Sequence, residues 1–191
     1  MAVTIAGRTS LAGEEVDLLL LAGGQRWCAA IHLETGALVS ARWEEPAEGL
    51  GPLLMARARI AGDQGGTDPV RPEEVVLAGP PRPTGRASRR QVERLLRPVL
   101  HPTGEHLLGF PGPAAPYWTL TGTRPSVAVV DPPDPPVVAG GQCRFRWRNV
   151  NHVLPVLPHA LRTRPRHPRR LVVTLSTPRA GHCYKVVAAL L

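Results

Sequence analysis

The sequence predicts a mainly β (α+β) protein, with a barrel-like or two-sheet β architecture that carries one or two helices. Three observations lead to this fold class. The 191 residues include 19 glycines and 22 prolines, which interrupt helices too often for a helical bundle. Hydrophobic residues make up 43% of the chain, enough for a packed core. Short apolar runs alternate with turn signals along most of the chain.

The N-terminal segment predicts a three-stranded meander. Residues 16–22, 26–33 and 37–43 are short runs of apolar or alternating character. Gly23-Gly24 separates the first two runs, and residues 34–36 form a tight turn before the third. We therefore expect three consecutive antiparallel strands here.

Two segments have helical spacing. Residues 53–60 repeat apolar side chains at intervals of three and four, and Pro52 lies near the predicted first turn. The stronger helix spans residues 89–100, with Ser88 as a capping residue and Pro98 near its end. Between these segments, residues 74–78 predict another short strand.

The second half of the chain again has strand character. Residues 117–121, 126–130 and 142–148 are strand candidates. Residues 171–177 and 182–191 predict a closing hairpin around a turn at residues 178–181. Because each tryptophan lies in a predicted strand with apolar neighbours, we expect all four to anchor the core: Trp27, Trp43, Trp118 and Trp147.

Composition divides the chain into two units and a linker. Residues 1–78 predict a near-neutral β-rich unit, and residues 79–86 a proline-rich, extended linker. Residues 87–191 predict a basic α+β unit, either separate or packed with the first unit as one domain. Residues 131–136, with four prolines and two aspartates, predict a second rigid connector.

The positive charge is confined to the second half. Residues 1–90 hold 10 basic and 11 acidic side chains, whereas residues 91–191 hold 13 and 4, which together give the net charge of +8. No acid follows Asp134, and the last 57 residues carry nine arginines and one lysine. Such a region attracts phosphate polymers, anionic surfaces or acidic proteins. A GC-rich genome also produces an arginine bias, so a binding surface and a compositional accident remain alternatives.

Two arginine-rich segments are the candidate nucleic-acid-binding sites. In a strand over residues 142–148, alternate side chains share a face about 6.5–7 Å apart, a spacing that matches successive phosphates. Residues 162–170 predict an exposed basic loop with two prolines. The alternative is a solvated arginine row, or one paired with Glu44, Glu45 or Glu48. The predicted contacts are Arg144, Arg146 and Arg148 in the strand and Arg162, Arg164, Arg166, Arg169 and Arg170 in the loop.

A set of acid–base side chains also lies in the acid-free region. His152, His182, Tyr184 and Lys185 would suit a metal-independent ribonuclease, which needs a general base, a general acid and cations for the developing phosphate charge. Any segment rich in arginine and histidine meets this description. The sequence therefore favours a protein that is not an enzyme.

No cofactor or metal site is predicted. The three cysteines are an odd number without a Cys-x-x-Cys pair, which favours free thiols in a reducing compartment. On a strand, Cys28 and His32 would lie about 13 Å apart, too far to share one zinc ion. The start of the chain lacks the pattern of a signal peptide, and no apolar run approaches the length of a membrane span. We expect a cytoplasmic protein with no membrane partner.

These observations lead to three functional hypotheses. The first is an accessory module that binds nucleic acid, RNA or single strands, through a basic C-terminal β surface. The alternative is a protein–protein interaction or assembly subunit of a larger complex, whose basic half meets an acidic protein. The second alternative is the metal-independent ribonuclease.

Overall fold

The computed structural model describes residues 2–5, 8–61, 68–122 and 124–191. Contacts divide the chain into two compact units, Met1–Val99 and Leu100–Leu191. About 43% of the residues lie in strands, one sheet curls into a half-barrel, and the described residues include two α-helices. The predicted fold class, mainly β with one or two helices, is confirmed.

The first unit contains a two-stranded sheet, a six-stranded sheet and a helix. The six strands are ordered β7-β5-β4-β3-β6-β8, and all neighbours are antiparallel except β5 and β7. β1 pairs with β2 in an antiparallel ladder. The elements are β1 (Ala2–Ile5), β2 (Arg8–Leu11), β3 (Glu15–Gly23), β4 (Trp27–His32), β5 (Leu38–Arg42), β6 (Leu54–Arg59), β7 (Glu74–Val76), β8 (Arg82–Arg86) and α1 (Arg89–Leu96).

The predicted meander corresponds to β3, β4 and β5. Its strands form the centre of the six-stranded sheet and carry most of the first unit's core, including Leu18, Leu20, Ala30 and Val39. Most residues of these strands are buried on both faces, so the signal that predicted them is a short apolar run bounded by turns.

The helix predicted over residues 53–60 is wrong, because this segment forms β6. Ala56 and Ala58 face the core while Arg57 and Arg59 are exposed, which is the two-residue period of a strand. Pairing with β3 on one side and β8 on the other satisfies the backbone of β6. The apolar residues of this segment are compatible with the spacing of a helix and with that of a strand. Pairing with β3 and β8 makes the segment a strand.

The segment predicted as a linker contains β8. Arg82–Arg86 pair with β6 at the edge of the six-stranded sheet, where every residue of β8 is exposed. Because an edge strand has one side free of ladder hydrogen bonds, it tolerates Pro83. The division of the chain falls after this segment, between Val99 and Leu100.

The helix α1 begins where the sequence placed it. The Ser88 side chain accepts a hydrogen bond from Gln91 N, and the Gln91 side chain accepts one from Ser88 N. Both hydrogen bonds of a capping box are therefore present. Val92 and Leu96 form the buried face. A 3₁₀ turn at Arg97–Val99, which contains Pro98, ends the helix.

The second unit contains a four-stranded and a three-stranded antiparallel sheet. The first has the order β10-β14-β15-β9 and the second β11-β12-β13, and Val156 forms a parallel bridge with Val187 of β15. Leu107–Gly109 and Tyr117–Thr119 are 3₁₀ turns. The elements are β9 (Ala114–Pro116), β10 (Val127–Val130), β11 (Val137–Ala139), β12 (Gln142–Trp147), β13 (Val150–Pro155), α2 (Pro158–Thr163), β14 (Leu171–Leu175) and β15 (His182–Leu190).

The closing hairpin is confirmed as β14 and β15, but the strand predicted over residues 117–121 is wrong. Tyr117–Thr119 form a 3₁₀ turn, and Trp118 is 64% exposed rather than part of the core. Trp43 and Trp147 are buried as expected, and Trp27 is half-buried. Among the described residues, no helix has the length and apolar character needed to cross a bilayer.

Candidate nucleic-acid interface

The alternation predicted for the arginine strand is present in β12. Arg144 and Arg146 are exposed, while Cys143, Phe145 and Trp147 are buried on the other face. Burial of the aromatic residues fixes the strand's orientation, because a shift of one residue would bury the guanidinium groups. The two arginines therefore project from the outer surface of the three-stranded sheet, which we call the arginine face.

Arg148 does not continue this row. β12 ends at Trp147, and Arg148 and Asn149 have φ angles of 51° and 61°. Positive φ at both central residues is the pattern of a two-residue type I′ turn, which joins β12 to β13. Asparagine adopts this conformation readily, whereas arginine does so less often. The turn removes Arg148 from the strand predicted over residues 142–148.

The arginine face also exposes apolar side chains. Arg144 lies directly opposite Val137 of β11 and Val153 of β13, which are 62% and 47% exposed. Residues opposite each other in an antiparallel ladder share a face. The surface therefore combines guanidinium groups with aliphatic side chains, which suits a partner that has both charge and flat apolar groups.

Two aspartates of the connector, residues 131–136, pair with the arginines. Asp134 Oδ2 lies 2.9 Å from Arg146 Nη2, and Asp131 Oδ2 accepts a hydrogen bond of 3.1 Å from Arg170 Nε. Both aspartates are substantially exposed, so these ion pairs contribute little stability. Within the described residues, no ion pair involves Arg144 or Arg148.

The predicted basic loop, residues 162–170, begins within α2. Arg162 occupies the last turn of the helix, and Arg164 is its C-terminal cap. Arg164, Arg166 and Arg169 are exposed, whereas Arg170 is half-buried beside Asp131. The backbone NH groups of Arg169 and Arg170 donate to Leu191 O, which ties the end of the loop to the end of β15.

The connector brings the arginine face and the basic loop together. Asp131 and Asp134 are three residues apart, so their Cα atoms lie at most about 11 Å from each other. One aspartate holds Arg170 and the other holds Arg146. The two arginine-rich segments therefore lie around one short stretch of chain in the second unit.

The four residues considered for a ribonuclease are not gathered at one site. Lys185 is only 1% exposed and faces the interior of the second unit. His182 and Tyr184 lie on the opposite face of β15, because alternate residues of a strand project to opposite sides. His152 of β13 stacks on Phe145, with 5.3 Å between ring centroids.

Lys185 holds a loop in place instead. Its ammonium group donates hydrogen bonds to Phe110 O at 2.6 Å and Gly112 O at 2.7 Å, and lies 4.0 Å from the centroid of the Phe110 ring. Burial disfavours the charged form and lowers the pKa of Lys185 from 10.5 to about 8. The side chain is a structural link between β15 and residues 110–112.

Residues 110–112 line the smaller of two clefts that the sequence did not reveal. A cavity of about 190 Å³ is bordered by His106, Arg148 and His152, and a wider one of about 620 Å³ by His101, His106, Arg124 and Arg148. Burial lowers the pKa of His101 and His152, and the nearby positive charge of Lys185 lowers both further. Two arginines and three histidines thus line these clefts at the end of the β12–β13 hairpin. No local motif marks them, since they meet only through the fold.

A second feature that sequence reasoning missed is an exposed aromatic cluster of Tyr117, Trp118 and His182, and Tyr184 lies on the same face of β15 as His182. The Tyr117 and Trp118 rings are 5.5 Å apart and edge-to-face, and the Trp118 and His182 rings are 6.1 Å apart. Tyr117 and Tyr184 are 47% and 40% exposed. Solvent-facing aromatic rings in contact with one another are typical of binding surfaces.

The described residues offer no group of three or more His, Cys, Asp or Glu side chains able to hold a metal ion. All three cysteines are buried and outside any disulfide, and burial raises the pKa of Cys28 to about 12 and that of Cys143 to about 11. The thiols of Cys28 and Cys143 therefore stay protonated at neutral pH, which makes them poor ligands and poor nucleophiles. No family model matches this chain, and neither the curated proteins nor the solved structures provide a match to it.

Proposed function

We propose that this protein is a nucleic-acid-binding accessory module that holds RNA or another single strand against the basic β surface of its second unit. The observation that carries the proposal is the arginine face, where Arg144 and Arg146 project from a rigid strand beside the basic loop. Guanidinium groups bind phosphate oxygens through two parallel hydrogen bonds. Cysteines that form no disulfide support a cytoplasmic location.

A single strand fits this surface better than a duplex does. The exposed arginines are distributed over a sheet face and a loop, and Val137 and Val153 lie among them. A strand with unstacked bases presents both phosphates and apolar base faces, whereas a duplex presents its phosphates and the edges of its bases. The exposed arginines of the arginine face and the basic loop that are available for phosphate contact are Arg144, Arg146, Arg162, Arg164, Arg166 and Arg169.

The exposed valines are also the observation that favours an assembly subunit. Val137 and Val153 flank Arg144 on one face, and an acidic protein with an apolar patch would cover all three side chains.

The arrangement around His106, Arg148 and His152 favours the ribonuclease, because a neutral imidazole next to a guanidinium group can accept a proton close to a bound phosphate.

A low-salt purification distinguishes these functions. We expect the full chain to retain nucleic acid, detected as excess absorbance at the wavelength of the bases, and to release it in high salt because phosphate contacts are screened. Retention of a protein partner without nucleic acid would contradict the proposal and favour the assembly subunit. Cleavage of the released RNA in the presence of a chelator, abolished by His152→Ala, would instead identify the ribonuclease.

A further inference from the structure

We propose that the aromatic cluster is a nucleobase-stacking site, at which Trp118 receives a base of the single strand that the arginines hold by its phosphates. The inference rests on the proposed function and adds that the aromatic cluster recognises the nucleobases of the bound strand. Base stacking on aromatic side chains is largely independent of sequence, because every base has a π face.

The turn that carries Trp118 is held in place by β15. Tyr117 N donates to Gly181 O at 3.0 Å, and His182 pairs with Pro116 in the β9–β15 ladder. Thr119 Oγ1 donates to Pro116 O at 2.7 Å, which closes the 3₁₀ turn. The indole is therefore presented from a fixed backbone and need not be ordered when a ligand binds.

One side of the indole ring is occupied and the remainder faces solvent. A methyl group placed on Gly181 would lie 3.1 Å from Trp118 Cζ3, so the ring lies directly over this glycine. Gly181 also has a φ of 76°, which favours glycine independently. Edge-to-face contacts with Tyr117 and His182 limit the rotation of the indole, and 64% of the residue remains exposed.

A cation lies on the same face as the cluster. Arg179 and His182 exchange two backbone hydrogen bonds, of 2.8 and 3.0 Å, across the turn between β14 and β15. Opposed residues of a hairpin share a face, so Arg179 belongs to the face of β15 that carries His182 and Tyr184. An aromatic platform next to a guanidinium group matches a nucleotide, with the base on the ring and the phosphate on the arginine.

Charge favours a nucleic acid over an apolar protein surface as the occupant. β14, β15 and the turn between them contain no aspartate or glutamate, and their charged side chains are Arg179 and Lys185. A purely apolar partner would leave Arg179 without a counter-charge, whereas a nucleotide supplies one.

Intrinsic tryptophan fluorescence tests the inference, because Trp43 and Trp147 are buried and Trp118 is the most exposed indole in the described part of the chain. The full-length protein is titrated with an unstructured single-stranded RNA and, separately, with inorganic polyphosphate, which has phosphates but no bases. We expect RNA to quench the fluorescence and polyphosphate to bind, as measured by competition, without quenching.

Variants at residue 118 separate stacking from charge. Trp118→Ala should weaken RNA binding about tenfold and leave polyphosphate binding unchanged, and Trp118→Phe should retain most of the RNA affinity because it keeps a ring. Thermal unfolding checks that both variants fold, which the exposure of Trp118 makes the expected result.

Two results would overturn the inference while leaving the proposed function intact: equal RNA affinity of Trp118→Ala and wild type, or equal quenching by RNA and polyphosphate. Failure of the wild-type protein to bind either polymer would remove both the proposed function and the stacking site. Binding of neither polymer together with saturable quenching by an apolar peptide would assign the cluster to a protein partner.

Discussion

Replacement of Lys185 by alanine is expected to lower the free energy of unfolding by about 3 kcal/mol, measured by chemical denaturation. The loss has two sources: the carbonyls of Phe110 and Gly112 lose their donor, and the buried stem leaves a void. Each unpaired buried acceptor costs about 1–3 kcal/mol, and removal of the desolvated charge offsets part of this cost. Lys185→Met fills most of the void and should lose about 1 kcal/mol less than Lys185→Ala.

The pH dependence of stability identifies the buried ammonium group. Because the pKa of Lys185 is about 8 in the folded protein and 10.5 when unperturbed, the unfolded chain binds more protons between these values. Burial of the charged ammonium group lowers the free energy of unfolding by its full amount below pH 8 and by nothing above pH 10.5. The free energy of unfolding therefore rises with pH between these values. Between pH 7 and pH 9 the wild type should gain about 1 kcal/mol relative to Lys185→Met, which lacks this ammonium group and keeps every other titratable side chain.

A matched control is Arg179→Ala, which removes an exposed cation from the hairpin that contains Lys185. It should change the free energy of unfolding by less than about 0.5 kcal/mol. The dependence of this free energy on pH between pH 7 and pH 9 should equal that of the wild type. If Lys185→Ala were as stable as the wild type, or if the gap between wild type and Lys185→Met were the same at both pH values, the ammonium group would not be buried as described.

Removal of the two arginines from the arginine face is expected to weaken RNA binding about tenfold or more at low salt. Arg144→Ala and Arg146→Ala together eliminate two phosphate contacts, and each contact to a single strand contributes about 0.7 to the slope of log affinity against log salt. The slope of the double variant should therefore be shallower by about 1.4. Fluorescence anisotropy of a labelled single-stranded RNA measures both quantities.

The control for charge alone is the pair Arg59→Ala and Arg82→Ala. Both arginines are exposed on the six-stranded sheet of the first unit, so this variant loses the same formal charge without touching the second unit. We expect its affinity to stay within about twofold of wild type, because all of the proposed phosphate contacts belong to the second unit. An equal loss in both double variants would show that net charge, rather than the arginine face, governs binding.

Much of the fold could be predicted because local pattern and tertiary structure agree. The central strands β3, β4 and β5 are short apolar runs bounded by glycine turns, and α1 has a complete capping box. In β12 the alternation of aromatic and arginine residues decides which face is buried. Each of these signals lies within a few neighbouring residues, so it needs no knowledge of distant contacts.

The remaining features depend on contacts between distant segments. β6 has helical spacing, but its pairing with β3 and β8 makes it a strand. Nothing in the sequence near Lys185 indicates that carbonyls some 75 residues earlier accept its hydrogen bonds. Trp118 looks like a core residue by its neighbours, yet the 3₁₀ turn exposes it. The clefts around Arg148 arise from a hairpin turn and a loop that meet only in the folded unit.

The salt dependence of RNA binding tests the central claim most directly. The arginine face and the basic loop carry six exposed arginines, so a single strand that contacts all of them should bind with a slope of about −4.2 in log affinity against log salt. A slope near this value, measured with the full chain from low to physiological salt, would support phosphate recognition by the second unit. Absence of binding at low salt, or binding with a slope near zero, would contradict it.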